Sequence, residues 1–261
     1  MNLFSMLLCE DEFGGEKVKT MNIRLFTLPN MLTLANLVAG SVAVVAALQW
    51  HDYTLSLWLI VAAAVCDFFD GFVARLLKQQ SPLGVQLDSL ADDISFGLAP
   101  ALVMFDSYLG AESLYGMPAS LSDSLSYVVL IIAAFSALRL AKFNIDDTQT
   151  TEFVGLPTPA NALMLMSLAV LAQQGEVVLY REHILVIAIA ASLLLVSPIR
   201  MFALKFKGFG FKGNELRYGF ILLSAAIIIC LPTYSVLVII VLYIALSTLR
   251  WLFMRRDRGE A

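Results

Sequence analysis

The chain has 261 residues, of which 59% are hydrophobic and only 15% are charged. Soluble globular domains are about half apolar and about a quarter charged. This composition, with a mean hydropathy of +0.81, therefore excludes an ordinary soluble domain. The net charge of −4 says less than the distribution of the basic residues along the chain.

Eight apolar stretches approach the roughly 20 residues that a helix needs to cross a bilayer. They lie near residues 30–49, 54–77, 84–107, 125–144, 158–174, 183–203, 216–232 and 234–253. Long apolar runs without alternation do not predict strands, and an open sheet cannot satisfy its backbone in lipid. We therefore predict an all-α, polytopic membrane helical bundle of about eight transmembrane helices.

The N-terminal residues differ from the rest of the chain. Residues 1–20 contain four acids between positions 10 and 16, which interrupt any apolar signal sequence. We predict an N-terminal extension there, followed by a single domain over residues 21–261, because no Pro-, Gly- or Ser-rich linker divides the chain. A short interfacial helix is expected over residues 21–30, ahead of the first span.

The basic residues predict the orientation in the membrane. On the eight-helix prediction, 16 of the 17 Lys and Arg residues fall on one side, and Arg181 alone falls on the other. The positive-inside rule then places both termini in the cytoplasm of a multi-pass inner-membrane protein. Residues 208–213 formally match G-x-G-x-x-G, but no strand precedes them, so a basic loop at the lipid surface is predicted there. No nucleic-acid partner is expected.

An unusual group of acids lies within two of the predicted helices. Its members are Asp67, Asp70, Asp88, Asp92 and Asp93. A carboxylate at the bilayer centre costs at least ~2.5–3.5 kcal/mol. The nearby Arg75 and Lys78 are too few to neutralise five acids, so the pattern predicts a cation supplied from outside.

The spacing of these acids indicates which cation. Asp67 and Asp70 share a helix face at i,i+3, and Asp88 and Asp92 share one at i,i+4. A tight hairpin over residues 76–83 brings both pairs to the same depth. Four carboxylates suit Mg²⁺, Mn²⁺ or Ca²⁺ rather than Zn²⁺, and are enough to bridge two ions about 3.5–4 Å apart. Asp93 points about 100° away from its neighbour and is left out of this site.

Small and basic residues beside the acids fit a phosphate ligand. Gly71 and Ala74 would let a flat base or a pyrophosphate approach the backbone of the helix. Arg75 carries a planar guanidinium that is suited to bidentate phosphate binding. For each of these residues an ordinary role, in helix packing or as a positively charged anchor, remains an alternative.

Together these residues form one continuous pattern. It runs Asp67-x2-Asp70-Gly71-x2-Ala74-Arg75-x8-Gly84-x3-Asp88-x3-Asp92. The pattern resembles, at every fixed position, the signature of the CDP-alcohol phosphotransferase family. The resemblance implies a membrane helical bundle, two metal ions held by the four aspartates, CMP as the leaving group and Asp92 as the general base. It also implies a homodimer.

Flanking segments narrow the resemblance to the type II phosphatidylserine synthases within this family. The segments are 29–40, 87–100, 137–144 and 155–160. They imply CDP-diacylglycerol as donor, L-serine as acceptor and a role in phospholipid biosynthesis. Beyond about residue 175 only the hydropathy remains similar.

Further ligand contacts are expected from polar residues at the same depth. Asn30 and Thr33 lie where the family has nucleotide contacts, and Ser81 in the hairpin is a further candidate for the CDP-lipid. Helix capping and turn formation are their alternative roles. Arg139 is a candidate for the serine carboxylate. Lys142 is a second candidate for serine binding, with a role as a surface anchor as the alternative. It stands where the family often has a second arginine, so the positive charge is kept but the planar guanidinium is lost.

Three alternatives remain open. A sister enzyme of the family would use glycerol 3-phosphate or an inositol phosphate, and a panel of labelled alcohols separates these acceptors. An intramembrane prenyltransferase also uses aspartates and magnesium, but its motifs lie on well-separated helices. An ion-coupled transporter would explain buried acids, although no internal repeat is visible. Release of CMP would exclude the last two.

Overall fold

The computed structural model describes residues 25–146, 152–202, 210 and 214–257. The expected interfacial helix at 21–30 lies largely outside this part. Residues 25–27 are not helical, and the first helix begins at Leu28. Of the expected basic loop at 208–213, only Gly210 is described.

The described part of the chain is built almost entirely of helices. The first half contains α1 (Leu28–Trp50), α2 (Tyr53–Leu76), α3 (Pro82–Asp92), a π-helical segment (Asp93–Leu98), α4 (Ala99–Gly110), α5 (Ala119–Ser126), a 3₁₀ turn (Tyr127–Leu130) and α6 (Ile131–Ile145). The second half contains β1 (Glu152–Val154), α7 (Thr158–Gln173), α8 (Arg181–Val196), β2 (Arg200–Phe202), α9 (Glu215–Cys230) and α10 (Ser235–Asp257).

Each predicted apolar stretch overlaps one helical run, and the all-α prediction is confirmed at this level. Among the described residues, four runs are long and apolar enough to cross a membrane, so the predicted number of eight spans is not confirmed. They are Leu28–Trp50, Tyr53–Leu76, Ala119–Ile145 and Ser235–Arg255. The run from Pro82 to Gly110 is long enough but contains four aspartates. The predicted helix over 183–203 ends earlier, at Val196, because Pro198 disfavours helical backbone in the residue before it.

A short strand pair replaces the end of that predicted helix. Residues Arg200–Phe202 form β2, which pairs antiparallel with β1. Gly155 follows β1 with a positive φ of 79°, and a Cβ there would lie 2.1 Å from the carbonyl oxygen of Leu195. Only glycine fits this close approach, which ties the loop after α6 to the end of α8.

Helix α1 packs closely on α2 and on the run formed by α3, the π-helical segment and α4. Small residues make this possible, because Ala43, Ala46 and Ala47 of α1 are fully buried. At Gly40, an added Cβ would lie only 2.2 Å from Ser95 Oγ and 2.6 Å from Ser95 Cα. The backbones of α1 and the π-helical segment therefore approach more closely than any larger residue at position 40 would allow.

The π-helical segment has a local cause. Pro100 has no backbone N–H and cannot donate to the carbonyl of Phe96, which lies four residues earlier. The preceding backbone is wider, and the N–H of Ala99 donates to the carbonyl oxygen of Ile94. Such π turns are frequent at functional sites. This one begins directly after Asp92.

Candidate active site

Three carboxylates from two helices converge at one end of the bundle. Asp67 and Asp70 lie in the last turns of α2, and Asp88 lies in α3. One oxygen from each of them lies within 4.8 Å of the others. The spacing in the sequence predicted this convergence through a hairpin, and the structure has that hairpin.

The hairpin closes through a residue in the left-handed conformation. Lys78 has a φ of 53°, and the N–H of Gln79 donates to the carbonyl oxygen of Ala74 at 2.9 Å. This ends α2 in the manner of a C-terminal cap. Ser81 then starts α3, because its hydroxyl accepts from the N–H of Gly84 at 3.0 Å. The turn is short, so Asp70 and Asp88 are held on facing helices.

The carboxylate group has the chemistry of a cation site. Oδ1 of Asp88 is buried and has no hydrogen-bond partner among the described residues. Within the described ranges, no lysine or arginine forms an ion pair with Asp67, Asp70 or Asp88. Buried carboxylates need a compensating partner, and an all-oxygen donor set suits a hard divalent cation. This group can therefore hold a metal ion.

Helix α1 supplies hydrogen-bond donors to two of the aspartates. The hydroxyl of Thr33 donates to Asp70 Oδ2 at 2.6 Å, and Asn36 Nδ2 donates to Asp92 Oδ1 at 3.0 Å. Asp92 is itself buried and 8% exposed. Its oxygens are not part of the three-carboxylate group, although Asp92 lies within electrostatic range of Asp67 and Asp88.

A cavity of about 160 Å³ opens beside the carboxylates. It is lined by Pro29, Asn30, Thr33, Asp70, Gly71, Ala74, Arg75, Gln79, Gln80, Ser81, Gly84, Val85 and Asp88. All six residues predicted from the sequence to contact the CDP-lipid are among them. Gly71 leaves open space, because the nearest atom to an added Cβ there is Arg75 Nη1 at 3.5 Å. Arg75 is exposed at the mouth of the cavity.

Asn30 and Ser81 also have the structural roles that were considered as alternatives. Asn30 Nδ2 donates to the carbonyl oxygen of Leu25 at 2.8 Å, which holds the chain ahead of α1. Ser81 caps α3. These contacts use only part of each side chain, and both residues still face the cavity.

Arg139 lies in α6 as a buried arginine, 8% exposed. Its Nη1 donates to Thr158 Oγ1 at 2.7 Å, while its Nε is buried without a partner in the described structure. Arg139 lies within electrostatic range of Asp92. The exposed Lys142 lines a small separate cavity together with Arg139 and Val154.

Two other polar residues received no role from the sequence alone. Asn36 lies in a segment that resembles the family, and Thr158 lies between two prolines. Both are fully buried, and each holds a charged residue of the candidate site. A polar residue on the buried face of a helix is the signal that could have found them. Asp93 faces Gly97 instead, where an added Cβ would lie 2.6 Å from Asp93 Oδ1.

The fold and the site define an all-α membrane protein with a carboxylate-lined ligand site at one end of its bundle. The profile of the CDP-alcohol phosphatidyltransferase family matches residues 26–198. The chain belongs to this family. The match includes α1 to α8 and therefore every predicted site residue.

Several curated relatives have the same printed name, CDP-diacylglycerol–serine O-phosphatidyltransferase. The protein of Helicobacter pylori is 30% identical over 236 residues, which cover 88% of this chain and 93% of the relative. That of Mycobacterium tuberculosis is 38% identical over 162 residues, covering 59% of this chain and 53% of the relative. That of Bacillus subtilis is 32% identical over 142 residues, covering 54% of this chain and 75% of the relative.

Proposed function

We propose that the protein transfers the phosphatidyl group of CDP-diacylglycerol to the hydroxyl of L-serine and releases CMP. The observation that carries this proposal is the convergence of Asp67, Asp70 and Asp88 beside a cavity lined by Gly71 and Arg75. The names of the curated relatives support the same reaction.

The aspartates would hold the metal. Asp67, Asp70 and Asp88 supply converging oxygens. Asp92, which lies within electrostatic range of them, would join them around a second ion. The oxygen-only donor set favours Mg²⁺ or Mn²⁺, with Ca²⁺ as an alternative. When bound, divalent ions would neutralise the pyrophosphate and polarise the phosphorus under attack.

The CDP-lipid would occupy the cavity between α1 and the α2–α3 hairpin. Gly71 and Ala74 would let the pyrophosphate approach the backbone of α2. The planar guanidinium of Arg75 would bind a phosphate in the same cavity. Asn30, Thr33 and Ser81 line the same cavity and offer neutral polar groups to the ribose or the phosphates. The acyl chains would remain in the lipid.

Asp92 would act as the general base. Its carboxylate takes the proton of the serine hydroxyl, whose oxygen forms the new bond to the phosphatidyl phosphorus. The bond between that phosphorus and the bridging oxygen breaks, and CMP leaves with the electron pair. Burial of Asp92 keeps bulk water away from the reacting hydroxyl.

Arg139 would bind the serine carboxylate. Thr158 holds Nη1 of Arg139, so the guanidinium presents its Nε edge, which has no partner among the described residues. An arginine edge of this kind binds a carboxylate through two parallel hydrogen bonds. Because Arg139 is within electrostatic range of Asp92, a serine held there would direct its hydroxyl towards the base. Lys142 would add positive charge at the entrance.

The proposal includes a location and an assembly. The site would lie at the cytoplasmic side of the inner membrane with both termini, as the distribution of basic residues indicates. A homodimer is proposed from the family resemblance. Cysteine-labelling of the two membrane sides and cross-linking in native membranes test these two points.

The deciding experiment supplies purified protein with CDP-diacylglycerol, Mg²⁺, Mn²⁺ or Ca²⁺, and a panel of labelled alcohols. We expect metal-dependent incorporation of serine and release of one CMP for each phosphatidylserine formed. Incorporation of glycerol 3-phosphate or an inositol phosphate instead would assign the protein to a sister activity of the same family. Failure to release CMP with any alcohol would contradict the proposed reaction altogether.

A further inference from the structure

Asn36 is a buried amide whose side chain touches the proposed base and whose exposed fraction is 0%. The side-chain Nδ2 of Asn36 donates to Asp92 Oδ1 at 3.0 Å. The backbone carbonyl oxygen of Asn36 accepts from the hydroxyl of Ser95 at 3.0 Å. Asn36 therefore contacts both sides of the point where α3 becomes the π-helical segment. No other hydrogen-bond donor to the Asp92 carboxylate exists among the described side chains.

The surroundings of Asn36 fix its position. Gly40 lies one turn further along α1, where it approaches Ser95 closely, so α1 packs tightly on the π-helical segment. The helices cannot slide apart at this level without losing the Ser95 contact. The side-chain amide of Asn36 is fully buried, and its N–H group is directed at one oxygen of the Asp92 carboxylate.

We propose that Asn36 is a positioning residue that holds Asp92 Oδ1 and leaves Oδ2 to receive the proton of the acceptor hydroxyl. This inference rests on the proposed function, because it takes Asp92 as the base. A carboxylate held at one oxygen has lost rotation about its terminal bond. The geometry of proton transfer is then set before the substrate binds.

The inference can be tested with Asn36→Leu, a variant that should still fold. Oδ1 of Asn36 is buried and has no partner within the described residues. Leucine has nearly the same shape, and Asn36→Leu removes this unsatisfied acceptor together with the donor. Asn36→Leu also leaves the buried Asp92 Oδ1 without its donor. This costs about 1–3 kcal/mol, which is less than the unfolding free energy of a typical folded domain. The folded protein should therefore be retained.

The experiment compares wild type, Asn36→Leu and the control Ser56→Ala in detergent. Ser56 is also buried and donates to the carbonyl oxygen of Ala43 at 2.8 Å, so it links α1 to α2 far from Asp92. We expect kcat of Asn36→Leu to fall about 100-fold, the typical result of a small misplacement of a reacting group. The KM for CDP-diacylglycerol and the binding of Mn²⁺ should change less than threefold. Ser56→Ala should keep the wild-type kcat.

A double-mutant comparison separates positioning from a general structural role. If Asn36 acts through Asp92, adding Asn36→Leu to Asp92→Asn should not lower the residual turnover further. An equal fall in both backgrounds would overturn the inference, as would an unchanged kcat for Asn36→Leu. A parallel loss of kcat, CDP-diacylglycerol binding and thermal stability would overturn it as well.

The inference and the proposed function fail in different ways. If wild type uses another alcohol, the acceptor is wrong, and the Asn36 comparison is repeated with that alcohol. If Asp92→Asn retains full turnover, the base assignment is wrong and the inference falls with it. If Asp92→Asn loses turnover while Asn36→Leu does not, only the inference is overturned.

Discussion

The two ends of the helical bundle use acidic residues in opposite ways. At the end opposite the aspartate group, Asp106 of α4 accepts from the hydroxyl of Tyr53 at 2.8 Å and lies 3.2 Å from His51 Nδ1. At the aspartate end, Oδ1 of Asp88 is buried and has no hydrogen-bond partner among the described residues. His51 directly follows the end of α1 and lies 15 residues after Asn36, so the two ends are separated by about 22 Å.

Glu182 follows the same pattern as Asp106 at the end opposite the aspartate group. Its carboxylate accepts from the hydroxyl of Ser113 at 2.6 Å and from the backbone N–H groups of Leu114 and Tyr115. The Ser113 hydrogen bond and the two backbone donors lower the pKa of Glu182 to about 2. The neighbouring Arg181 donates to the carbonyl oxygen of Ala111 and to Ser122.

The comparison separates acids that stabilise the fold from acids reserved for a ligand. An acid whose oxygens are satisfied by the protein contributes to stability and needs nothing else. An acid left without donors in a buried position needs a partner that the chain does not provide. Substitutions at the aspartate end should therefore change chemistry and leave stability nearly unchanged. Substitutions at the opposite end should lower stability and leave the chemistry nearly unchanged.

The largest effect is expected from Asp92→Asn. The amide cannot accept the proton of the serine hydroxyl, and loss of a general base lowers turnover by about 10²–10⁴-fold. Binding of CDP-diacylglycerol, measured by equilibrium dialysis of the labelled lipid in detergent, should survive in part. Wild-type turnover by this variant would remove Asp92 as the base.

A smaller effect is expected from Arg139→Met. Methionine fills a similar volume without a guanidinium, so the KM for serine should rise roughly 30- to 100-fold, the loss typical of one charge-assisted contact of ~2–3 kcal/mol. The KM for CDP-diacylglycerol should stay constant. Lys142→Met is the matched control, because Lys142 is exposed and lines the same small cavity. Equal effects of the two substitutions on serine would contradict the assignment of Arg139.

Thr33→Val tests a hydrogen bond to Asp70, one of the proposed metal ligands. The hydroxyl of Thr33 donates to Asp70 Oδ2, and such orienting contacts contribute about 10- to 100-fold to metal affinity. We expect Mn²⁺ titrations to show weaker binding and turnover to recover at high metal concentration. If turnover stays low at saturating Mn²⁺, Thr33 acts directly on the CDP-lipid.

The smallest effect on activity is expected from Asp106→Asn. This substitution weakens the acceptor for Tyr53 and removes the charge beside His51, which should cost about 1–2 kcal/mol of folding free energy. Thermal unfolding in detergent should show a lower midpoint, while kcat and both KM values remain those of wild type. A change in kcat without loss of stability would show that the two ends are coupled.

Much of the site could be predicted from the sequence because its residues lie close together along the chain. Asp67, Asp70 and Asp88 occupy two helices joined by a short turn, so helical periodicity alone brings them to one place. The contribution of α1 could not be obtained in this way. Nothing in local periodicity states that Asn36 faces Asp92, which follows 56 residues later.

The sequence by itself determined the class of protein, the helical runs and the carboxylate hairpin, since hydropathy and i,i+3 or i,i+4 spacing are local properties. Only the tertiary structure decided which donors reach each carboxylate. Asn36 and Thr33 meet Asp92 and Asp70 because Gly40 and the alanines of α1 permit close helix packing. That packing depends on the shapes of surfaces distant in sequence, and such shapes exist only once the helices have assembled.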